Sequence, residues 1–134
     1  MVKDPMPEKA LTLSLEAVPE NIPIARRAAV DYARACKADI HRVALAVSEA
    51  VTNVVSHGYR DRPPGPLRLR AELEDSDLVV TVADEGLGMK PKPDSQGLGM
   101  GLALIGSTAA DIHLHDTDNG LSVTMRFPCA GDDD

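Results

Sequence analysis

The chain contains almost no aromatic side chains. Trp is absent, and Tyr32, Tyr59 and Phe127 are the only aromatic residues among 134. The core must therefore be built from aliphatic side chains and methionine. The sequence also offers no aromatic platform on which the bases of a nucleic acid could stack.

A basic surface is missing as well. The formal net charge is −7, so we expect no basic stripe that could neutralise a phosphate backbone and no direct contact with nucleic acid. No stretch approaches the ~18 apolar residues of a membrane span, and residues 1–9 contain no apolar signal core. We therefore expect a cytoplasmic protein that does not associate with membranes.

The two cysteines form no recognisable pair in the sequence. Cys36 and Cys129 lie far apart, without CxxC spacing and without neighbouring metal ligands. This arrangement indicates two free thiols in a reducing compartment.

Alternation of apolar and polar residues, and in one case a more continuously apolar run, predicts five strands. Leu11, Leu13 and Leu15 alternate with polar residues over 11–16, which is typical of a half-buried strand. Similar strand-like stretches follow at residues 67–74, 78–83, 112–116 and 121–127. Because Asp118-Asn119-Gly120 is a strong turn signal, we expect the last two strands to form a hairpin.

Helices are predicted between these strands. Asn21 is expected to cap a helix that runs to about Cys36, with a proline in its first turn. Asp39 is expected to cap a second helix, whose apolar residues recur at spacings of three and four and which ends at Gly58. A third helix is predicted over about residues 99–109.

The order of these elements is β-α-α-β-β-α-β-β. It predicts an α+β fold, a two-layer sandwich in which a mixed, mostly antiparallel sheet carries the helices on one face. We expect a single domain over residues 1–134, with flexible ends at 1–9 and 129–134.

A carboxylate and an amide lie one helical turn apart on the second predicted helix. Glu49 and Asn53 are four residues apart, so they share one helix face. A solvated polar face would have the same spacing. The small and β-branched residues around the pair favour a covered position, in which Glu49 could accept a proton and the Asn53 amide oxygen could bind Mg²⁺.

Glycines accompany a second carboxylate and a predicted helix start. Asp84 ends an apolar strand and is followed by Gly86 and Gly88; it could cap a turn or accept a hydrogen bond from a flat ligand that the glycines let approach. Gly97, Gly99 and Gly101 form a glycine loop, which is compatible with a plain turn or with phosphate binding.

Taken together, the three segments are much more specific than any one of them. EAVTNVVSHGY at 49–59, DEGLGM at 84–89 and GLGMGLALI at 97–105 resemble the N box and the two glycine boxes of the GHKL ATPase superfamily. Within it the chain is most similar to the anti-sigma factor serine-protein kinases of bacteria. The resemblance covers nearly the whole chain and implies the Bergerat ATP-binding fold.

The resemblance also implies roles for individual residues. Glu49 would be the general base, Asn53 the Mg²⁺ ligand, and Asp84 the residue that reads the adenine amino group. Arg26 would face a protein partner. The ATP site would further include Gly86, Gly88, Met89, Gly97, Gly99, Met100 and Gly101.

The implied function is an ATP-dependent serine kinase that acts as an anti-sigma factor. Such a protein forms a homodimer, sequesters a sigma factor, and phosphorylates a serine on a small anti-sigma antagonist. Glu49 favours a hydroxyl as phosphate acceptor, because a serine needs a base and a neutral imidazole does not.

Two alternatives remain open. One is a non-catalytic sigma-factor-binding module with weak or no ATP turnover; the other is a stand-alone GHKL ATPase or histidine-kinase-like catalytic domain. The sequence departs from the family at Leu121, where relatives usually carry a threonine beside the adenine-reading aspartate. It also departs in a short segment of eight residues between Gly88 and Gly97, which includes Gln96.

Overall fold

A computed structural model of the chain describes residues 9–59, 61–86, 109, 111–117 and 120–130. In chain order, this part contains β1 (Leu11–Glu16), α1 (Ile22–Ala35), α2 (Ile40–Asn53), β2 (Pro66–Glu74), β3 (Asp77–Asp84), β4 (Asp111–Thr117) and β5 (Gly120–Pro128). A 3₁₀ turn, Pro19–Asn21, precedes α1, and a π-helical turn, Val54–Gly58, continues α2. The predicted helix over 99–109 and the turn residues 118 and 119 lie outside the described residues, apart from residue 109.

The two helices begin in different ways. Asp39 caps α2 as predicted, since its carboxylate accepts hydrogen bonds from the backbone N–H groups of His41 and Arg42 at 3.0 and 3.2 Å. Asn21 occupies the cap position of α1, but the predicted capping bond is wrong because no side-chain cap bond forms there. Its amide instead donates to the carbonyl of Glu16 at 2.8 Å, which ties the start of α1 to the end of β1.

The sheet has the strand order β1-β2-β3-β5-β4. Each described pair of neighbouring strands is antiparallel. Asp75 and Ser76 make the β2–β3 turn with φ of 53° and 73°, and Thr117 pairs with Gly120 where β4 meets β5. The α+β class and the mainly antiparallel sheet are therefore confirmed.

The core lies between one face of the sheet and the helix pair. Residues of β5 alternate strictly between buried and partly exposed, and Leu121, Val123 and Met125 belong to the buried set. The α2 residues Val43 and Val47 join the same core. On the opposite face His113 and His115 are exposed, as their alternation predicts. In the described part of the chain, each helix is too short or too polar to cross a membrane.

Candidate active site

The helical segment from α2 to the π-helical turn carries the first two predicted site residues. Glu49 is half-buried, and Asn53, the last residue of α2, is only 5% exposed. The apolar stripe that buries α2 against the core thus also brings the Asn53 amide inside. The π-helical turn that follows ends at Gly58, and such widened turns are frequent at functional sites.

Asp84 is the last residue of β3 and is also buried, with 5% exposure. Its Oδ1 accepts a hydrogen bond from the backbone N–H of Gly86 at 2.8 Å. Its Oδ2 is on the side of Gly58, where an added Cβ would be 3.4 Å away. The backbone N–H of Gly86 therefore holds the Asp84 carboxylate in one orientation, and the end of the helical segment lies beside it.

Two glycines are required here by close packing of backbones. A Cβ on Gly86 would lie 1.7 Å from the carbonyl oxygen of Gly58. A Cβ on Gly120, which has a φ of +138°, would lie 2.0 Å from the carbonyl oxygen of Asp84. Three chain segments therefore meet at Asp84: the end of the π-helical turn, the end of β3 and the start of β5.

Tyr59 is part of this junction and was not predicted. Its hydroxyl donates to the carbonyl of Pro66 at 2.6 Å and accepts from the backbone N–H of Glu85 at 2.8 Å. Glu85 also forms an ion pair with Arg68. Burial raises the pKa of the Tyr59 hydroxyl above its usual value, which keeps it protonated and able to donate. A tyrosine directly after a helix-ending glycine was the one available signal in the sequence.

The structure brings part of the predicted site together. Asp84 and Gly86 adjoin Gly58, which continues the helical segment that carries Glu49 and Asn53. Arg26 is exposed on α1. The remaining predicted site residues lie outside the described residues: Gly88, Met89, Gly97, Gly99, Met100 and Gly101.

The side chains of Asp84 and Asn53 suit a nucleotide better than a permanently bound metal ion. A buried carboxylate is an acceptor only and suits an exocyclic amine, and an amide oxygen is a neutral ligand for a hard cation. Within the residues described, His, Cys, Asp and Glu side chains form no group of three that could hold a metal ion. As far as the described residues go, phosphate oxygens and water would suit the other ligand positions of a cation at Asn53.

Comparison with known protein families shows the family to which the chain belongs. Residues 15–127 match the family model of the histidine kinase-like ATPase domain. The chain belongs to this family. Since the family consists of ATPase domains, membership implies ATP as the ligand and agrees with the two-layer fold.

Curated relatives of this histidine kinase-like ATPase domain are anti-sigma F factors. That of Clostridium acetobutylicum is 36% identical over 85 residues, or 61% of this chain and 59% of the relative. That of Clostridium novyi is 43% identical over 49 residues, or 37% of this chain and 34% of the relative. The matched segments thus span between one third and three fifths of the relatives. These matches confirm the resemblance to the anti-sigma factor family.

Solved structures show the same fold. The RsbU and RsbW domains of Rv1364c from Mycobacterium tuberculosis superpose with a TM-score of 0.70 at 23% identity, over 90% of this chain and 32% of that one. A blue-light activated histidine kinase from Erythrobacter litoralis gives a TM-score of 0.54 at 25% identity, over 68% of this chain and 31% of that one.

Proposed function

We propose that this protein is an ATP-dependent serine kinase that acts as an anti-sigma factor. The observation that carries the proposal is the contact between Gly58 and Asp84, which joins the helical segment of Glu49 and Asn53 to a buried carboxylate suited to adenine. The names of the curated relatives, anti-sigma F factors, support the regulatory role.

Each side chain has one task in this proposal. Asp84 accepts a hydrogen bond from the adenine amine. Asn53 offers its amide oxygen to Mg²⁺, which when bound would neutralise the phosphate charge. Glu49, half-buried one turn earlier, takes the proton of the attacking serine hydroxyl, because a neutral hydroxyl is a weak nucleophile.

The partners are a sigma factor and a small antagonist protein that carries the acceptor serine. Arg26 and Arg27 line a groove that α1 forms with Ala44 of α2, together with the ion pair of Arg34 and Asp31. Ile24 of α1 is 49% exposed. The groove lining thus has more cationic than anionic side chains, and together with an exposed apolar side chain this suits an acidic protein surface. We assign this groove to partner binding, and we assign the active form to a homodimer.

The test is phosphate transfer from labelled ATP in the presence of Mg²⁺. The protein is incubated with small candidate antagonists encoded by neighbouring genes, and the product is then treated with acid. Label that stays on a serine supports the proposal, whereas acid-labile label on a histidine would indicate histidine-kinase-like chemistry. ATP hydrolysis without any labelled protein would indicate a stand-alone ATPase.

One observation favours the second candidate, a sigma-factor-binding module without turnover. Leu121 is 2% exposed and follows Gly120, the residue packed against the Asp84 carbonyl. An apolar side chain at this position supplies no hydroxyl to support the carboxylate. Sigma-factor binding by a protein that neither hydrolyses ATP nor transfers its phosphate, whether or not it binds ATP, would select this alternative.

A further inference from the structure

A single hydroxyl ends the pairing of β2 with β3. The register of these strands joins Leu67 to Asp84, so the next opposed residues are Pro66 and Glu85. The Tyr59 hydroxyl lies between their backbones, since it accepts from the Glu85 N–H at 2.8 Å and donates to the Pro66 carbonyl at 2.6 Å. The hydroxyl thereby occupies the N–H and the carbonyl that would otherwise bond directly to each other and extend the ladder.

The tyrosine ring is held as firmly as its hydroxyl. A Cβ on Gly65 would lie 2.5 Å from the ring carbon Cε1, and a Cβ on Gly86 would lie 3.3 Å from Cδ1. The ring therefore fills the space between two glycines. Because its backbone directly follows Gly58, its position is fixed by the end of the helical segment.

Tyr59 is linked to the Asp84 carboxylate through the next two residues of the chain, Glu85 and Gly86. Tyr59 fixes the backbone of Glu85, and the Arg68 ion pair holds the side chain of the same residue. The next N–H, that of Gly86, donates to Oδ1 of Asp84 at 2.8 Å. The direction of the carboxylate thus depends on where Tyr59 places the Glu85–Gly86 peptide.

We propose that Tyr59 is a positioning residue of the nucleotide site, whose hydroxyl aims the Asp84 carboxylate and thereby sets selectivity for a base with an exocyclic amine. This inference rests on the proposed function. The raised pKa of Tyr59, caused mainly by burial, agrees with a hydroxyl that keeps its proton at neutral pH.

The test compares two ligands in wild type and in Tyr59→Phe. ATP is measured against purine riboside triphosphate, which lacks the 6-amino group, by calorimetric titration. Tyr59→Phe keeps the ring between the glycines and removes only the oxygen. We expect its affinity for ATP to fall by about tenfold, the size of one net hydrogen bond, while its affinity for the analogue changes little. The preference for ATP should therefore shrink.

Tyr32→Phe is the matched control. Tyr32 is half-buried on α1, and its hydroxyl donates to the carbonyl of Lys9 at 3.3 Å. Since neither partner is part of the nucleotide site, the same chemical change should leave the preference intact. A merely structural role of Tyr59 would lower thermal stability and leave the ratio of the two affinities unchanged. That result would overturn the inference.

Two further outcomes are distinguishable. If wild type itself does not bind ATP, the proposed function fails before the variant is considered. If Tyr59→Phe does not fold, Gly65→Ala displaces the ring while it keeps the hydroxyl, because the added Cβ would stand 2.5 Å from Cε1. A smaller preference for ATP in that variant supports the inference, and an unchanged preference contradicts it.

Discussion

Replacement of Asp84 by Asn isolates the proposed adenine contact. Asp84 is 5% exposed, and its Oδ1 already accepts the Gly86 N–H at 2.8 Å. In Asp84→Asn the amide oxygen can keep that bond, which turns the NH₂ group toward the ligand. A hydrogen bond to a charged group worth about 1.5–3 kcal/mol is then lost, and a buried donor faces the donor of adenine at a cost of about 1–3 kcal/mol.

Together these terms weaken ATP binding by about 10²- to 10⁴-fold. Calorimetric titration with ATP measures the loss, and thermal unfolding checks that the fold is retained. Asp31→Asn is the matched control, because it makes the same change at an exposed residue of α1 that pairs with Arg34. If Asp84→Asn bound ATP as tightly as Asp31→Asn, the assignment of Asp84 to adenine would be wrong.

Two other predictions concern the metal and the thiols. Asn53→Ala should weaken MgATP binding more than binding of ATP in the presence of a chelator, since the amide oxygen is assigned to Mg²⁺; equal losses in the two titrations would remove that role. Burial, with a smaller contribution from Cys129, raises the pKa of Cys36 from 9.0 to about 12. The Cys36 thiol therefore ionises at a lower pH in the unfolded chain than in the folded protein. The free energy of unfolding should be unaffected below pH 9.0 and should decrease between pH 9.0 and about 12 by up to about 1.4 kcal/mol per pH unit. In Cys36→Ala, the free energy of unfolding measured with urea should lack this part of the decrease. The same dependence on pH in the variant and in wild type would contradict the prediction.

Local patterns were sufficient for most of the described elements. Period-two alternation located β1 and β5 because one face of each strand is more buried than the other. Asp39 was recognisable as a cap because its partners lie within three residues. The order β1-β2-β3-β5-β4 was not predictable in the same way. β1 pairs with β2 across both helices, and no turn signal encodes such a contact.

The site shows the same division between local and distant signals. The carboxylate at the end of β3 and the acid–amide pair on α2 were visible in the sequence. The π-helical turn and the role of Tyr59 were not, because the hydroxyl finds its partners 7 and 26 residues away in the chain. Asn21 shows the reverse case: its spacing suited a cap, but its side-chain oxygen accepts no capping bond and its NH₂ group donates to the carbonyl of Glu16.

The central claim is that Glu49 accepts the proton of a serine hydroxyl. Glu49→Gln keeps the size and reach of the side chain and removes its basicity. Single-turnover transfer of labelled phosphate to the antagonist should fall by about 10²–10⁴-fold, while affinity for ATP and for the sigma factor stays at the wild-type value. A Gln variant that phosphorylates its partner at the wild-type rate would contradict the claim.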